Sequence, residues 1–186
     1  MFVPIIRGVI DRRVLINYRV DPAVLARLLP RPFRPKLIHG WGMAGVCLIR
    51  LKHIRPRFLP SFLGISSENA AHRIAVEWDQ DGRRCEGVFI PRRDTSSRLN
   101  TWAGGRLFPG LHHHARFRVD ERDGRYQIGL VSDDGLTRLD VAGRTCSDMP
   151  STSVFRELAR AAPATMFRAP VPRGGAGTAR NTNSAP

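Results

Sequence analysis

The stretch GMAGVCLIRLKHIRP at residues 42–56 decides the fold, because its length and composition predict a long β-strand. Successive side chains of a strand point to opposite faces, so this segment presents two sets of residues. One set is Val46, Leu48 and Arg50, and the other is Cys47, Ile49 and Leu51. Glycines at positions 40, 42 and 45 indicate a bend or the close approach of another backbone.

The segments on either side predict more strands than helices. Further strands are indicated at 7–20, 68–79, 85–91 and 137–144, with a hairpin over 112–135 that turns at Asp123-Gly124. Asp21 and Pro22 predict the start of a short helix that Pro30 ends, and residues 153–162 predict a second helix. About seven strands and two short helices make an α+β domain, predominantly antiparallel β, built as a barrel or a strongly curved sheet.

The chain is strongly basic, with 30 Lys and Arg residues against 16 Asp and Glu residues and a formal charge of +14. Only Lys36 and Lys52 are lysines, and the arginines are spread along the chain instead of forming one patch. This pattern does not favour a specific nucleic-acid partner. Non-specific binding of nucleic acid by a basic protein is kept as one alternative function.

Cysteine usage and hydropathy bear on location. Cys47, Cys85 and Cys146 lie far apart and are odd in number, which predicts reduced thiols and not a disulfide framework. The N-terminal apolar piece is too short for a signal sequence, and no apolar run approaches the length of a membrane span. We therefore expect a cytoplasmic protein without a membrane partner.

Five segments, taken in order, are similar to one family. They are INYRVDPAVLARLLPRPFRP, GMAGVCLIRLKHIRP, SSENAAHRIAVEW, GVFIPRRDTSSRL and GGRLFPGLHHHARF. Together they resemble an uncharacterised bacterial branch of the acetoacetate decarboxylase-like superfamily, whose members carry a domain of unknown function. The resemblance implies a curved, barrel-like β fold around a small internal cavity. The best-known member of that superfamily decarboxylates a β-keto acid through a lysine Schiff base.

The resemblance fades near Ala161, although chains of this branch continue with further strands. From Pro163 onwards the sequence has no acidic residue and little hydrophobic periodicity, which predicts a disordered tail. We expect a single domain at 1–162 that is truncated or altered at its C-terminal end, followed by a disordered tail at 163–186.

The sequence departs from the decarboxylase at the catalytic motif. There an aromatic-Pro pair precedes two lysines, whereas here Phe108-Pro109 precedes Gly110-Leu111. A Schiff base needs a primary amine of lowered pKa, and neither lysine of this chain lies in the motif. We therefore expect a site without the Schiff-base lysine. Glu68, in SSEN, stands where a glutamate lines the superfamily's pocket.

The segment E-N-x-x-x-R supplies the principal candidate site residues. On a strand Glu68 and His72 share one face, where a carboxylate and an imidazole could move a proton, so both are candidate acid–base residues. Asn69 and Arg73 share the other face and suit an anionic ligand or a structural ion pair. Arg106, which precedes Phe108-Pro109, is a further candidate anion contact.

Three consecutive histidines occupy positions 112–114. On a strand His112 and His114 share a face, so they are candidate ligand-binding residues and weak candidates for two ligands of a zinc site. A metal site would need a third ligand that the sequence does not place. The competing interpretation is that one or two of them line a pocket as hydrogen-bonding groups, and we expect no metal or other cofactor.

These observations favour a pocket for a small anionic molecule similar to an organic acid. Whether the protein is an enzyme is left open; an enzyme here would be a lyase or would act by hydrolase-like acid–base chemistry without a lysine nucleophile. The first alternative is a non-catalytic ligand-binding module on the same fold.

Overall fold

The computed structural model describes residues 5–103 and 111–145, all of which belong to one compact unit, Met1–Thr145. Nine strands, two α-helices and one 3-10 turn follow one another along this part of the chain. They are β1 Ile6–Val20, α1 Pro22–Leu28, β2 Arg34–Pro35, β3 Leu37–Ile38, β4 Trp41–Pro56, the 3-10 turn Ser61–Leu63, β5 Ile65–Gln80, β6 Arg83–Thr95, α2 Arg98–Ala103, β7 His112–Arg122, β8 Arg125–Ser132 and β9 Arg138–Arg144.

The strands form one sheet in the order β1-β4-β5-β6-β7-β8-β9, with β2 beside β5 and β3 beside β4. All pairs are antiparallel except β6 and β7, which run parallel over three residue pairs, with Asp94 opposite His113. Within the described ranges no strand joins β1 to β9, so the sheet is curved but not closed. The predicted fold class, predominantly antiparallel β and barrel-like, is confirmed.

The core lies where strands β7 to β9 fold over the face of β1, β4 and β5. Leu48 of β4 and Ala70 of β5 are direct partners, and both are buried against Ala115, Ile128 and Leu130 from the other half of the sheet. Alternation along each strand therefore gives the sheet a concave, core-facing side and a convex side. A polar residue that lies an even number of positions from one of these core residues along the same strand points to the concave side as well.

A second apolar cluster fixes helix α1. Asp21 accepts a hydrogen bond from the Ala23 N–H at 2.7 Å, and Pro22 occupies the first turn, as the sequence predicted. Leu25 is buried against β5, where its neighbours include Val76. The helix also packs close to β4: a Cβ on Gly42 would lie 2.6 Å from Leu25 Cδ1. The predicted close approach of another backbone is found at Gly45, where a Cβ would lie 2.0 Å from the Ile16 carbonyl oxygen.

The predicted hairpin is confirmed. Asp123 and Gly124 have φ angles of 49° and 72°, as a two-residue type I′ turn requires of both central residues. Of the two predicted helices, the first is α1, whereas the second, at 153–162, and the tail at 163–186 lie outside the described residues. Within the part of the chain that the structure covers, no helix is long and apolar enough to cross a membrane.

Candidate functional site

Polar side chains flank the apolar core on the concave side of the sheet. At one end lies a group that we call the quartet, formed by Arg12, Arg50, Glu68 and Glu121. At the other end lies a group that we call the histidine cluster, formed by His72, Arg92, Asp94, His113 and Asp134. Strand register builds each group: Arg12 pairs with Arg50 and Arg50 with Glu68, while Arg92 pairs with His72.

The quartet is a closed set of charge-assisted hydrogen bonds. Arg12 Nη2 donates to Glu68 Oε2 at 2.5 Å and Arg50 Nε donates to Glu68 Oε1 at 2.6 Å. Glu121 reaches across from β7, accepts from Arg50 at 3.0 and 3.1 Å, and also pairs with Arg12. Two cations therefore meet two anions, which lowers the cost of removing the four charges from water.

Burial and pairing shift the ionisation of the quartet in opposite directions. The hydrogen bond to Glu68 raises the pKa of Arg50 against the effect of burial. Burial by itself would raise the pKa of Glu121, but the guanidinium groups of Arg12 and Arg50 outweigh it and lower that pKa. The pair of residues at the centre is largely enclosed, with side-chain exposures of 8% for Arg12 and 16% for Glu68.

A cleft of about 370 Å³ opens beside the quartet, between β1 and strands β8 and β9. Arg12 lines it, together with the apolar Val14, Ile128 and Val141 and the phenol of Tyr126. Arg12 Nε is buried and has no hydrogen-bond partner in the part of the chain described. A buried donor left without a partner is costly, so a ligand oxygen that reached this atom would relieve that cost.

The histidine cluster is built around Asp94, which is fully buried. Its carboxylate accepts from Arg92 at 2.7 Å and lies 2.8 Å from His72 Nε2. Arg92 also donates to Asp134 at 2.9 and 3.0 Å, and His113 Nδ1 lies 3.1 Å from the same carboxylate. One guanidinium thus bridges two aspartates, each of which contacts a histidine.

These contacts keep both aspartates ionised. Burial alone would raise the pKa of Asp94, but hydrogen bonds from His72 and Arg92 outweigh it and hold that pKa below its usual range. Hydrogen bonds from Arg92, the Ser132 hydroxyl and the Leu136 N–H hold the pKa of Asp134 well below its usual range. With Asp94 ionised, Nε2 of His72 is the nitrogen that donates in this contact, which leaves Nδ1 directed away from the aspartate.

The two predicted acid–base residues both lie on the concave side, but they do not form a hydrogen bond with each other. Glu68 belongs to the quartet and His72 to the histidine cluster, with Ala70 between them on β5. The structure therefore places the carboxylate with two arginines and the imidazole with an aspartate. Each of them has a partner that the sequence did not indicate.

The predicted anion contacts lie elsewhere. Asn69 donates to the Ser67 carbonyl at 3.1 Å and to its hydroxyl at 3.0 Å. Arg73 donates to Asn17 Oδ1 at 3.0 Å and belongs to neither the quartet nor the histidine cluster. Both are on the convex side, as the alternation predicted. Arg106 lies outside the described residues.

Among the three histidines, the middle one faces the candidate site. His113 is in phase with the buried Ala115 and joins the histidine cluster, whereas His114 is out of phase and meets Asp133 at 2.7 Å. His112, like His114, is out of phase with the core. Across residues 5–103 and 111–145, no three His, Cys, Asp or Glu side chains come together as a metal site would require.

Several site residues were missed by the sequence analysis. Arg92 is one of them: its side chain is only 16% exposed and bridges two aspartates. The others are Asp94, Arg12, Glu121 and Asp134, none of which the sequence analysis singled out. The alternation of Ala115, Phe117 and Val119 along β7 was a usable signal for His113 and Glu121, because these five residues are in phase.

The fold is that of the acetoacetate decarboxylase-like proteins. The structure matches acetoacetate decarboxylase from Legionella pneumophila with a TM-score of 0.52 and 15% identity, over 74% of this chain and 47% of that one. It also matches the enduracididine biosynthesis enzyme MppR, solved with the condensation product of pyruvate and imidazole 4-carboxaldehyde, with a TM-score of 0.48 and 16% identity over 74% of this chain and 56% of that one. An acetoacetate decarboxylase-like enzyme from Sphingomonas wittichii gives a TM-score of 0.42 and 20% identity over 64% and 49% of the two chains.

The chain belongs to the DUF2071 family of uncharacterised conserved proteins, which residues 10–163 match. This agrees with the resemblance seen in the sequence. The chain spans about half the length of the solved structures that it resembles. No curated protein is significantly similar to it in sequence.

Proposed function

We propose that the protein binds a small organic acid in the cleft between β1 and β8–β9, with Arg12 as the carboxylate contact. The observation that carries the proposal is the buried Arg12 Nε, which lacks a partner among the described residues while the rest of the guanidinium is held by Glu68 and Glu121. A guanidinium fixed in this way is preorganised, because its orientation is set before the ligand arrives.

The lining of the cleft supports the same ligand class. Val14, Ile128 and Val141 suit a short carbon chain, and Tyr126 adds a hydroxyl that can donate to a keto or hydroxyl oxygen. The volume of about 370 Å³ is at the lower end of the range for small-molecule sites. The expected ligand is therefore a short keto or hydroxy acid.

The test is binding of a short carboxylic acid series, with the matching methyl esters as neutral controls, measured by calorimetry. Arg12→Lys keeps the positive charge but loses the planar set of guanidinium N–H donors. We expect the affinity for the acids to fall at least tenfold, which is about 1.4 kcal/mol of binding free energy. Arg7→Gln removes an exposed arginine from the same strand and should leave affinity unchanged. Equal affinity of wild type for acids and esters would refute the proposal, as would normal binding by folded Arg12→Lys.

A second candidate function is catalysis, and the His72–Asp94 pair favours it. An ionised aspartate that holds one imidazole nitrogen leaves the other to act as a base, and no hydrogen bond to His72 Nδ1 is found in the described residues. Such an enzyme would remove a proton from a bound acid without a lysine nucleophile. Lys36 pairs with Glu86 and Lys52 with Asp11, which supports the absence of an amine nucleophile.

The catalytic candidate is tested by Asp94→Asn, which alters the preferred His72 tautomer while keeping its shape. Loss of about 10²-fold or more in turnover of a bound keto or hydroxy acid, with binding preserved, would establish catalysis. Binding without turnover in the wild type would establish the non-catalytic module. Affinity for nucleic acid that falls steeply with salt, with no competition from small acids, would favour the basic-protein alternative.

A further inference from the structure

The connection between β4 and β5 presents large apolar side chains to solvent. Phe58 is 80% exposed and Phe62 is 81% exposed, and Leu63 beside them is also exposed. Ile5, just before β1, lies beside this connection and is 62% exposed. We call this surface, formed by Ile5, Phe58, Phe62 and Leu63, the apolar tip.

The apolar tip is held in place by its own hydrogen bonds. Arg55 donates to the Leu59 carbonyl at 3.0 Å and to the His53 carbonyl at 2.8 Å. The backbone of Arg57 donates to the Ile5 carbonyl at 2.8 Å, and Gly64 packs so close to His53 that a Cβ would lie 2.5 Å from its Cα. The phenyl rings are therefore displayed by a loop that its own hydrogen bonds hold in place.

The charge around the apolar tip is of one sign. Residues 52–67 contain Lys52, Arg55 and Arg57 but no aspartate or glutamate, and Arg7 lies opposite Arg55 on β1. Asp11, the nearest acid along β1, is already paired with Lys52 and Arg50. A protein is held at an anionic bilayer surface by burial of apolar side chains and by attraction of basic side chains to the lipid headgroups. The apolar tip offers both, since its aromatic rings are exposed and basic residues surround them.

We propose that the apolar tip attaches the protein to the surface of a membrane that contains anionic lipid, with Phe58 and Phe62 entering the headgroup region. A second copy of the chain is a poorer occupant, because two acid-free basic surfaces would repel each other on contact. The expectation of no membrane partner rested on the lack of a spanning segment, and surface attachment needs none.

Co-sedimentation of the full chain with vesicles tests the proposal. We expect the protein to sediment with vesicles of phosphatidylcholine and phosphatidylserine, and to remain largely in solution with phosphatidylcholine alone. The double variant Phe58→Ser/Phe62→Ser should lose at least about tenfold in partitioning, since each phenyl contributes to burial in the interface. Leu28→Ser/Leu136→Ser removes two exposed leucines, 62% and 80% exposed, from elsewhere and should partition as the wild type does.

The phenylalanine variant keeps every charge, so it separates insertion from the general attraction of a basic chain to anions. Equal partitioning of this variant and the wild type would overturn the proposal, as would failure of the wild type to bind phosphatidylserine vesicles. Both variants should melt within a degree or two of the wild type, because the rings are not part of the core. A concentration-dependent dimer that the phenylalanine variant abolishes would identify a second copy as the occupant instead.

Discussion

Arg50 and Glu68 are direct cross-strand partners on β4 and β5, and Arg50 Nε donates to Glu68 Oε1 at 2.6 Å. The same guanidinium binds Glu121 on β7, so one side chain joins the two halves of the folded sheet. Its position couples the candidate site to the stability of the domain.

Glu68→Gln leaves two guanidinium groups with one carboxylate in a largely enclosed place. We expect the free energy of unfolding to fall by about 1–3 kcal/mol, the cost of poorly satisfied buried charge. Denaturant unfolding at neutral pH measures this change. The matched variant Glu86→Gln breaks the exposed pair with Lys36 and should have no measurable effect. Equal effects of the two substitutions would contradict the enclosed character of the quartet.

Acid should unfold the protein partly through Asp94. The pKa of this group is lower in the folded state than its ordinary value of 3.8, so its contribution to stability is present above that value and is lost as pH falls toward the folded-state pKa. Asp94→Asn should therefore destabilise the domain at pH 7 and flatten the dependence of stability on pH below about pH 4. Denaturant unfolding from pH 7 to pH 3 makes the comparison. Parallel curves for variant and wild type would contradict the assignment.

Three arginines face one another across strands where β7 and β9 end and β8 begins. Arg122 pairs with Arg125, and Arg125 pairs with Arg144. Like charges facing each other across strands are destabilising. Arg125→Thr removes the central charge and adds a good strand residue, so we expect the free energy of unfolding to rise by about 0.2–1 kcal/mol. Thermal melting at low salt checks this, and the gain should shrink as salt is added.

Gly45 marks a close approach of β1 to β4. A Cβ at this position would lie 2.0 Å from the Ile16 carbonyl oxygen, and backbone cannot move aside as a side chain can. Gly45→Ala should cost about 1–3 kcal/mol of stability. Gly143→Ala on β9 meets nothing within 4 Å and serves as the control. A neutral Gly45→Ala in denaturant unfolding would show that β1 shifts without cost.

Strand alternation carried the sequence prediction furthest, because it depends only on neighbouring residues. It placed Glu68 and His72 on one face, and the Asp123-Gly124 turn located the hairpin. The contacts of Glu68 with Arg12, and of Arg50 with Glu121, join residues 56 and 71 positions apart. Such contacts depend on strand order and on how far β7 folds back, which local patterns do not encode. The same limit explains why His113 was passed over in favour of its neighbours.

Among the described residues no strand pairs with the outer side of β1, which has a consequence for how the molecule behaves at high concentration. A 15-residue strand at the border of a sheet is a template on which identical chains stack into ordered aggregates. Three exposed arginines along it, Arg7, Arg13 and Arg19, would bring positive charge against positive charge if two such borders met. This repulsion opposes aggregation. Added salt screens it, so the protein should be stored at low ionic strength.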